Sequence, residues 1–408
     1  MSRLLLLLLI LLSCSSSADA GVLTLESWRN DDRALWENTL IPAFNRKHPG
    51  IEIRYQASMP TEYDTQLTAR LANGTAGDLL ACRPFQVSLN WYKRAYLERL
   101  DGKAGMEYFP ASALQAWQSE DQQHSYCMPL ASVIQGFLYN KKIFKRLNLS
   151  PPKTEQEFFN LLEQLKQQPG LTPIALGTAE KWEAAQILMS NVMAQYWHGE
   201  EGRLAISRGQ LKTHDNEYLS AFQFAERLAE YLPVQASRQS YSESQQLFAN
   251  AQAAIYPMGS WDLSYFNQIP GLEFGVFAMP RKNANDQCYM LDHMDIGIAV
   301  NRKSKNKDEA WVFLEWLGSQ EFADLYTNKA TGFFSLSNHL IAVRDPVARQ
   351  MMEWRRHCQP SVRINSQFAL AKNETGFWQL SADLLNRKIR AKAAALQFND
   401  LLRDKPMP

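Results

Sequence analysis

Residues 22–55 constrain the fold more than any other stretch. Residues 22–28 (VLTLESW) read as a strand, and Asn30 or Asp31 can cap the segment that follows. Leu35, Leu40, Ile41 and Phe44 then recur at helical spacing, and Pro49-Gly50 is the stop. Ile51, Ile53 and Tyr55 alternate with Glu52, Arg54 and Gln56, the period of a strand. Strand, helix and strand within about 35 residues make a βαβ unit, and a βαβ unit implies a parallel sheet.

The alternation continues. Helical patterns at 62–71 and 88–96 flank a short apolar strand at 79–81. Residues 126–139 hold two strand-like runs broken near Pro129. Thr154 and Glu157 form a capping box ahead of Phe158, Leu161, Leu162 and Leu165. Strands are expected at 174–176, 253–258, 274–278 and 295–301, and helices at 182–197, 215–231 and 308–317. Beyond Asp345 the pattern is helical, with no strand. The fold class is therefore α/β, and 408 residues suggest two or three domains. No Gly-, Ser- or Pro-rich linker divides them, so the chain is expected to cross between domains more than once.

The N-terminus reads as an address. Arg3 precedes nine apolar residues, 4–12, and then small residues, a secretory pattern too short to span a bilayer. Ala18-Asp19-Ala20 offers cleavage before Gly21, which makes 1–20 a signal peptide. Residues 11–14 (LLSC) resemble a lipobox that would acylate Cys14. Either route places the folded part outside the cytoplasm, in the periplasm. Four further cysteines, Cys82, Cys127, Cys288 and Cys358, allow three fully paired connectivities, and free buried thiols are equally compatible. The 43 basic and 42 acidic side chains leave a net charge of +1, which argues against a broad nucleic-acid or anionic-lipid surface.

Catalytic signatures are missing. There is no phosphate-binding GxxxxGK[ST], no dinucleotide GxGxxG after a strand, no HExxH and no GxSxG. Two SxxK matches, at 150–153 and 304–307, lie in a Pro-Pro break and a polar turn, without companion motifs. Asp292-His293-Met294-Asp295 lacks a third ligand at a diagnostic spacing, so neither a metal nor a cofactor is expected.

At 248–261 the run FANAQAAIYPMGSW resembles the F-x-x-G-x-A-A-M-x-x-x-G-x-W segment of family 1 extracellular solute-binding proteins. These are the carbohydrate-type, maltose-binding-protein-like receptors of ABC importers. Asn250 or Ala251 stands where that family usually has glycine. Four other segments are similar to family motifs, in the family's order: 77–100, 129–141 ending LYNK, 152–158, and 301–311 (NRKSKNKDEAW). The resemblance spans about residues 22–403. It implies a two-lobed periplasmic-binding-protein fold (type II-like) with multiple hinge crossings. The crossings are expected near 129–132, 272–277 and 327–335. Lobe one is then 21–130 plus 275–328, and lobe two 131–274 plus 329–408.

A sugar has hydroxyls that need matched partners and C–H faces that stack on aromatic rings. In α/β lobes such partners belong at the carboxyl ends of strands. Trp28, Arg29, Asp31 and Asp32 follow the first strand, Arg83 and Gln86 the strand at 79–81, and Trp182 the strand at 174–176. Ser260 and Trp261 follow the strand at 253–258, and Asp292 precedes the strand at 295–301. Trp378 is similar in position to an aromatic that closes over sugar in the family. The resemblance therefore implies a monomeric, non-enzymatic receptor that closes on a sugar or oligosaccharide and delivers it to an ABC importer permease. Arg83, Lys181 and His293 keep a phosphorylated or otherwise charged solute open as an alternative, and a periplasmic sensor subunit would share every feature.

Overall fold

The computed structural model describes residues 21–211, 215–363 and 373–403. The expected signal peptide, 1–20, and Cys14 lie outside the described residues. Ten strands form the framework: β1 (Gly21–Ser27), β2 (Ile51–Ala57), β3 (Leu79–Cys82), β4 (Met128–Asn140), β5 (Thr172–Ile174), β6 (Ala253–Gly259), β7 (Phe274–Phe277), β8 (Cys288–Val300), β9 (Phe334–Ser335) and β10 (Cys358–Ser361). Their order is β2-β1-β3-β8-β4-β6-β5, with β7 and β9 also pairing β4, and β10 pairing β8. The expected βαβ unit is present: β1 and β2 pair in parallel, joined by a helical run over 33–45. The sheet is mixed rather than parallel throughout, because β8 runs antiparallel to β3 and β4, and β4 antiparallel to β6.

Local chemistry explains much of this. The helix Glu155–Lys166 starts at the expected box: the Glu157 backbone N–H donates to Thr154 Oγ1 (3.3 Å), and the Thr154 N–H donates to the Glu157 carboxylate (3.2 Å). The two runs expected over 126–139 are one strand of 13 residues. Its register against β8 shifts between Pro129 and Ser132, so a bulge absorbs the missing proline N–H and bends the strand without ending it.

Three buried cores divide the chain. One core gathers residues from Leu23 to Val133 and from Met294 to Phe333. The other two gather residues from Ile134 to Met290 and from Phe334 to Phe398. Membership of the cores changes between Val133 and Ile134, within β8 between Met290 and Met294, and between Phe333 and Phe334. The sequence expectation for the crossings is 129–132, 272–277 and 327–335. β7 pairs only with the outer half of β4 (Phe137 opposite Phe277), and Val276, Phe277 and Met279 pack outside the first core.

Two short strands add to the expected set. β9 pairs Ala131 and Ser132, and β10, in a part of the chain expected to be wholly helical, pairs the start of β8. Both are set by partners distant in sequence, and β10 contains Pro360, which demotes it on local criteria. A disulfide joins Cys288 to Cys358 along the β8–β10 pair, while Cys82 and Cys127 are free and buried. Among the described residues no helix is long and apolar enough to cross a membrane.

Candidate ligand-binding cleft

The hinge is built from strands bolted by side chains. The Ser260 hydroxyl accepts the Ile134 backbone N–H (3.0 Å) and donates to the Gly332 carbonyl, so one buried side chain ties the first crossing to the third. A Cβ at Gly332 would lie 1.7 Å from the Ser260 carbonyl oxygen, and its φ of +97° also requires glycine. On the opposite side the Asp292 carboxylate holds Arg355 in a two-point pair (2.6 and 3.0 Å), and Arg355 also donates to Ser132 Oγ (2.6 Å). Two of the expected ligand residues, Ser260 and Asp292, are thus engaged in the hinge itself.

The loop after β1 is similarly committed. Arg29 is buried and donates to both oxygens of Asp32 (2.8 and 3.0 Å), with its guanidinium 4.6 Å from the centre of the Phe333 ring. Burial opposes its charge, but the Asp32 and Asp31 carboxylates more than offset this and hold it well above the ordinary arginine range. Asp32 is buried beneath it. Asp31 also pairs Arg29 (2.9 Å) but leaves 59% of its side chain open. Of the ligand candidates named in this loop, Trp28, Arg29, Asp31 and Asp32, Asp31 alone presents a large free face. It lies within electrostatic reach of Asp295 on β8 and of Asp262 beyond β6.

Trp28 is buried against Tyr63, with the Arg83 guanidinium 4.4 Å above its ring. Arg83 donates to Asp64 (2.9 Å) and to the Pro60 carbonyl (2.9 Å). Phe85 has φ +64° and ψ −124°, a backbone region costly for any residue but glycine, held by its N–H bond to the Ala116 carbonyl. Gln86 bonds along its own helix to Asn90 (2.9 Å).

Lobe two supplies the aromatic wall. The Trp261 indole Nε1–H donates to the Tyr241 hydroxyl oxygen (2.8 Å), and Tyr241 donates in turn to Asp262. Gln245 also donates to Asp262 (2.9 Å). The ring of Trp182 meets Tyr241 at 4.8 Å, and its Nε1–H donates to Glu180 (3.1 Å). Trp261 belongs to the lobe-two chain yet packs against the lobe-one core, so it bridges the lobes. Arg363 stands over its ring at 5.5 Å. Trp378 packs partly against the lobe-two core, and its indole N–H finds no partner among the described residues.

Electrostatics follow from burial. Burial pushes the Asp262 carboxyl up to about 7, against the hydrogen bonds from Tyr241 and Gln245. It pushes Glu183, whose carboxylate oxygens meet no donor among the described residues, to about 8. Burial lowers the Arg363 guanidinium to about 10, with Asp295 opposing. Burial, and then Arg363, keep His293 neutral.

Sequence reading did not single out Tyr241, Gln135 or Arg363, which the fold brings to the surroundings of Trp261. Gln135 carried a usable signal, an amide in the middle of the apolar strand 130–139. Arg363 carried none, since it lies in no recognisable motif.

The profile of the family described as bacterial extracellular solute-binding protein matches residues 30–323. The "Multiple sugar-binding protein" of Streptococcus mutans is 27% identical over 285 residues, which cover 68% of this chain and 66% of that one, just under two thirds of the relative's length. Among solved structures, RafE in complex with raffinose superposes with a TM-score of 0.80 at 18% identity, over 93% of this chain and 98% of that one. The solute receptor AcbH, described with an exclusive preference for β-D-galactopyranose, gives 0.80 at 15% identity, over 93% and 97%. At these identities the structures speak for the two-lobed fold.

Proposed function

The chain belongs to the family of bacterial extracellular solute-binding proteins, and on that premise we propose that it captures a sugar or oligosaccharide between its lobes and delivers it to an ABC importer. The observation that carries this reading is Trp261: an indole fixed by Tyr241, packed against the core that holds Leu23 to Val133 and faced by Arg363. A flat apolar ring with Arg363 over it suits a ligand with C–H faces and hydroxyl edges. The sugars named for the relatives support the same class, and they differ in size, from galactopyranose to raffinose. The fold therefore leaves ligand length open.

Closure is a population shift. A sugar resting on the lobe-two aromatics meets Asp31 and Asp295 only when the lobes approach, so ligand favours the closed form by the energy of those added contacts. The permease would read that closed shape from outside the cytoplasm. Of the three side chains that motivate a charged solute, Arg83 is engaged by Asp64, the Pro60 carbonyl and the face of Trp28, and burial keeps His293 neutral, which favours a neutral ligand, while Lys181 stays exposed. Titration calorimetry of the exported chain with neutral mono-, di- and oligosaccharides tests the reading. Saturable binding to a neutral sugar supports it, and no heat with any carbohydrate contradicts it.

A further inference from the structure

Strand register brings two polar side chains without hydrogen-bond partners to one spot, and Arg363 joins them over the Trp261 ring. Gln135 on β4 lies opposite Gly259 on β6, and Val133 lies opposite His293 on β8. Partners across a pair project to the same face, and residues two apart on a strand share it. Gln135 and His293 therefore point to one side of the sheet. Trp261 lies there too, because a Cβ on Gly259 would fall 2.1 Å from its ring carbons. Arg363 stands over the same indole, 5.5 Å from the ring centre.

Both polar ends of Gln135 and both ring nitrogens of His293 are buried, as is Arg363 Nε, and none has a hydrogen-bond partner among the described residues. Gln135 and His293 are each 1% exposed. The nearest oxygen of Asp295 is 3.9 Å from His293, beyond hydrogen-bonding distance. Buried polar atoms are nearly always paired, so five orphans beside one aromatic ring mark a place made for a polar guest.

We propose that Gln135, His293 and Arg363, with Trp261 as the stacking face, form a subsite at the hinge that engulfs one neutral hydroxylated ring. This rests on the sugar-binding reading above and specifies which part of the cleft sets ligand class. The orphans are of both kinds. The Gln135 carbonyl and one nitrogen of neutral His293 accept, while the Gln135 amide, the other His293 nitrogen and Arg363 Nε donate. A hydroxyl serves as donor and acceptor together. A carboxylate or phosphate only accepts, so it would leave the Gln135 carbonyl and the basic His293 nitrogen unpaired, and Asp295 would repel it.

The test turns on two effects of opposite sign. Gln135→Met and His293→Leu each replace orphaned polar atoms with apolar ones of comparable size. The unliganded protein should melt at the same or a higher temperature, while affinity for the neutral sugar falls about 10- to 100-fold, since each variant leaves ligand hydroxyls unpaired. Calorimetry and thermal melts of the full exported chain are run with neutral sugars, including galactose and raffinose, and with galacturonate. His293→Leu, on the neighbouring strand, repeats the test should Gln135→Met not fold. Wild-type affinity in both variants would overturn the subsite, with water then satisfying those groups. A lower melting temperature without ligand would make them structural and also overturn it. Preference for galacturonate over galactose would overturn the neutral class. Failure of the wild type to bind any sugar would instead remove the underlying reading.

Discussion

The indole of Trp261 is held by the hydroxyl of Tyr241 at 2.8 Å, and that hydroxyl is itself directed by the buried carboxyl of Asp262. The stacking face is thus oriented before ligand arrives. Tyr241→Phe keeps the ring against Trp182 but leaves the Trp261 N–H without its acceptor. We expect a loss of about 1–3 kcal/mol in stability and roughly five- to tenfold in sugar affinity, read by thermal melts and calorimetry. Unchanged affinity would show that the indole holds its place without Tyr241.

Gly259 is the second support of that ring. A methyl group there would overlap the indole carbons at 2.1–2.3 Å, so Gly259→Ala must displace Trp261. Sugar affinity should fall as far as it does in Trp261→Ala, although the substituted residue carries no functional group. Calorimetry of the two variants side by side checks this.

Stability should fall as pH rises. Burial raises Asp262 to about 7 and Glu183 to about 8. Unfolded carboxyls titrate near pH ~4. Between those limits the folded chain holds more protons than the unfolded one. The contribution is therefore fully present below about pH 4, is lost as pH climbs to about 7–8, and changes no further above that. Glu183→Gln should flatten the decline in melting temperature between about pH 5 and 8. An unchanged slope would mean that Glu183 is ionised in the native protein.

The Cys288–Cys358 disulfide joins residues 70 apart and ties β10 to β8. Closing a loop of that length stabilises by about 4 kcal/mol. Replacing both cysteines with alanine should lower the melting temperature by roughly 8–16 °C, at 2–4 °C per kcal/mol. Mass spectrometry after alkylation in denaturant should find Cys82 and Cys127 labelled and the other pair protected.

The features legible in the sequence were those with local causes. The 3.6- and 2-residue periods pointed to β1, the following helix and β2, and the box at Thr154 to the next helix start. The 248–261 motif pointed to Trp261 and its turn. What stayed hidden depends on pairing at a distance. β7 pairs with the outer half of β4, and no local pattern states that. Trp28, Arg29 and Ser260 have the residue types of ligand contacts, yet their polar groups and rings are engaged by Arg83, Asp32 and the hinge backbone. Composition cannot tell an engaged arginine from a free one, so Arg363 emerged only from the folded chain.

Closure of the two lobes on a sugar is the central claim. Small-angle scattering of the exported chain, with and without the sugar that calorimetry identifies, tests it directly. The radius of gyration should shrink on saturation, and Trp261→Ala should abolish the change. Tight sugar binding with no change in scattering, or closure that persists in Trp261→Ala, would contradict it.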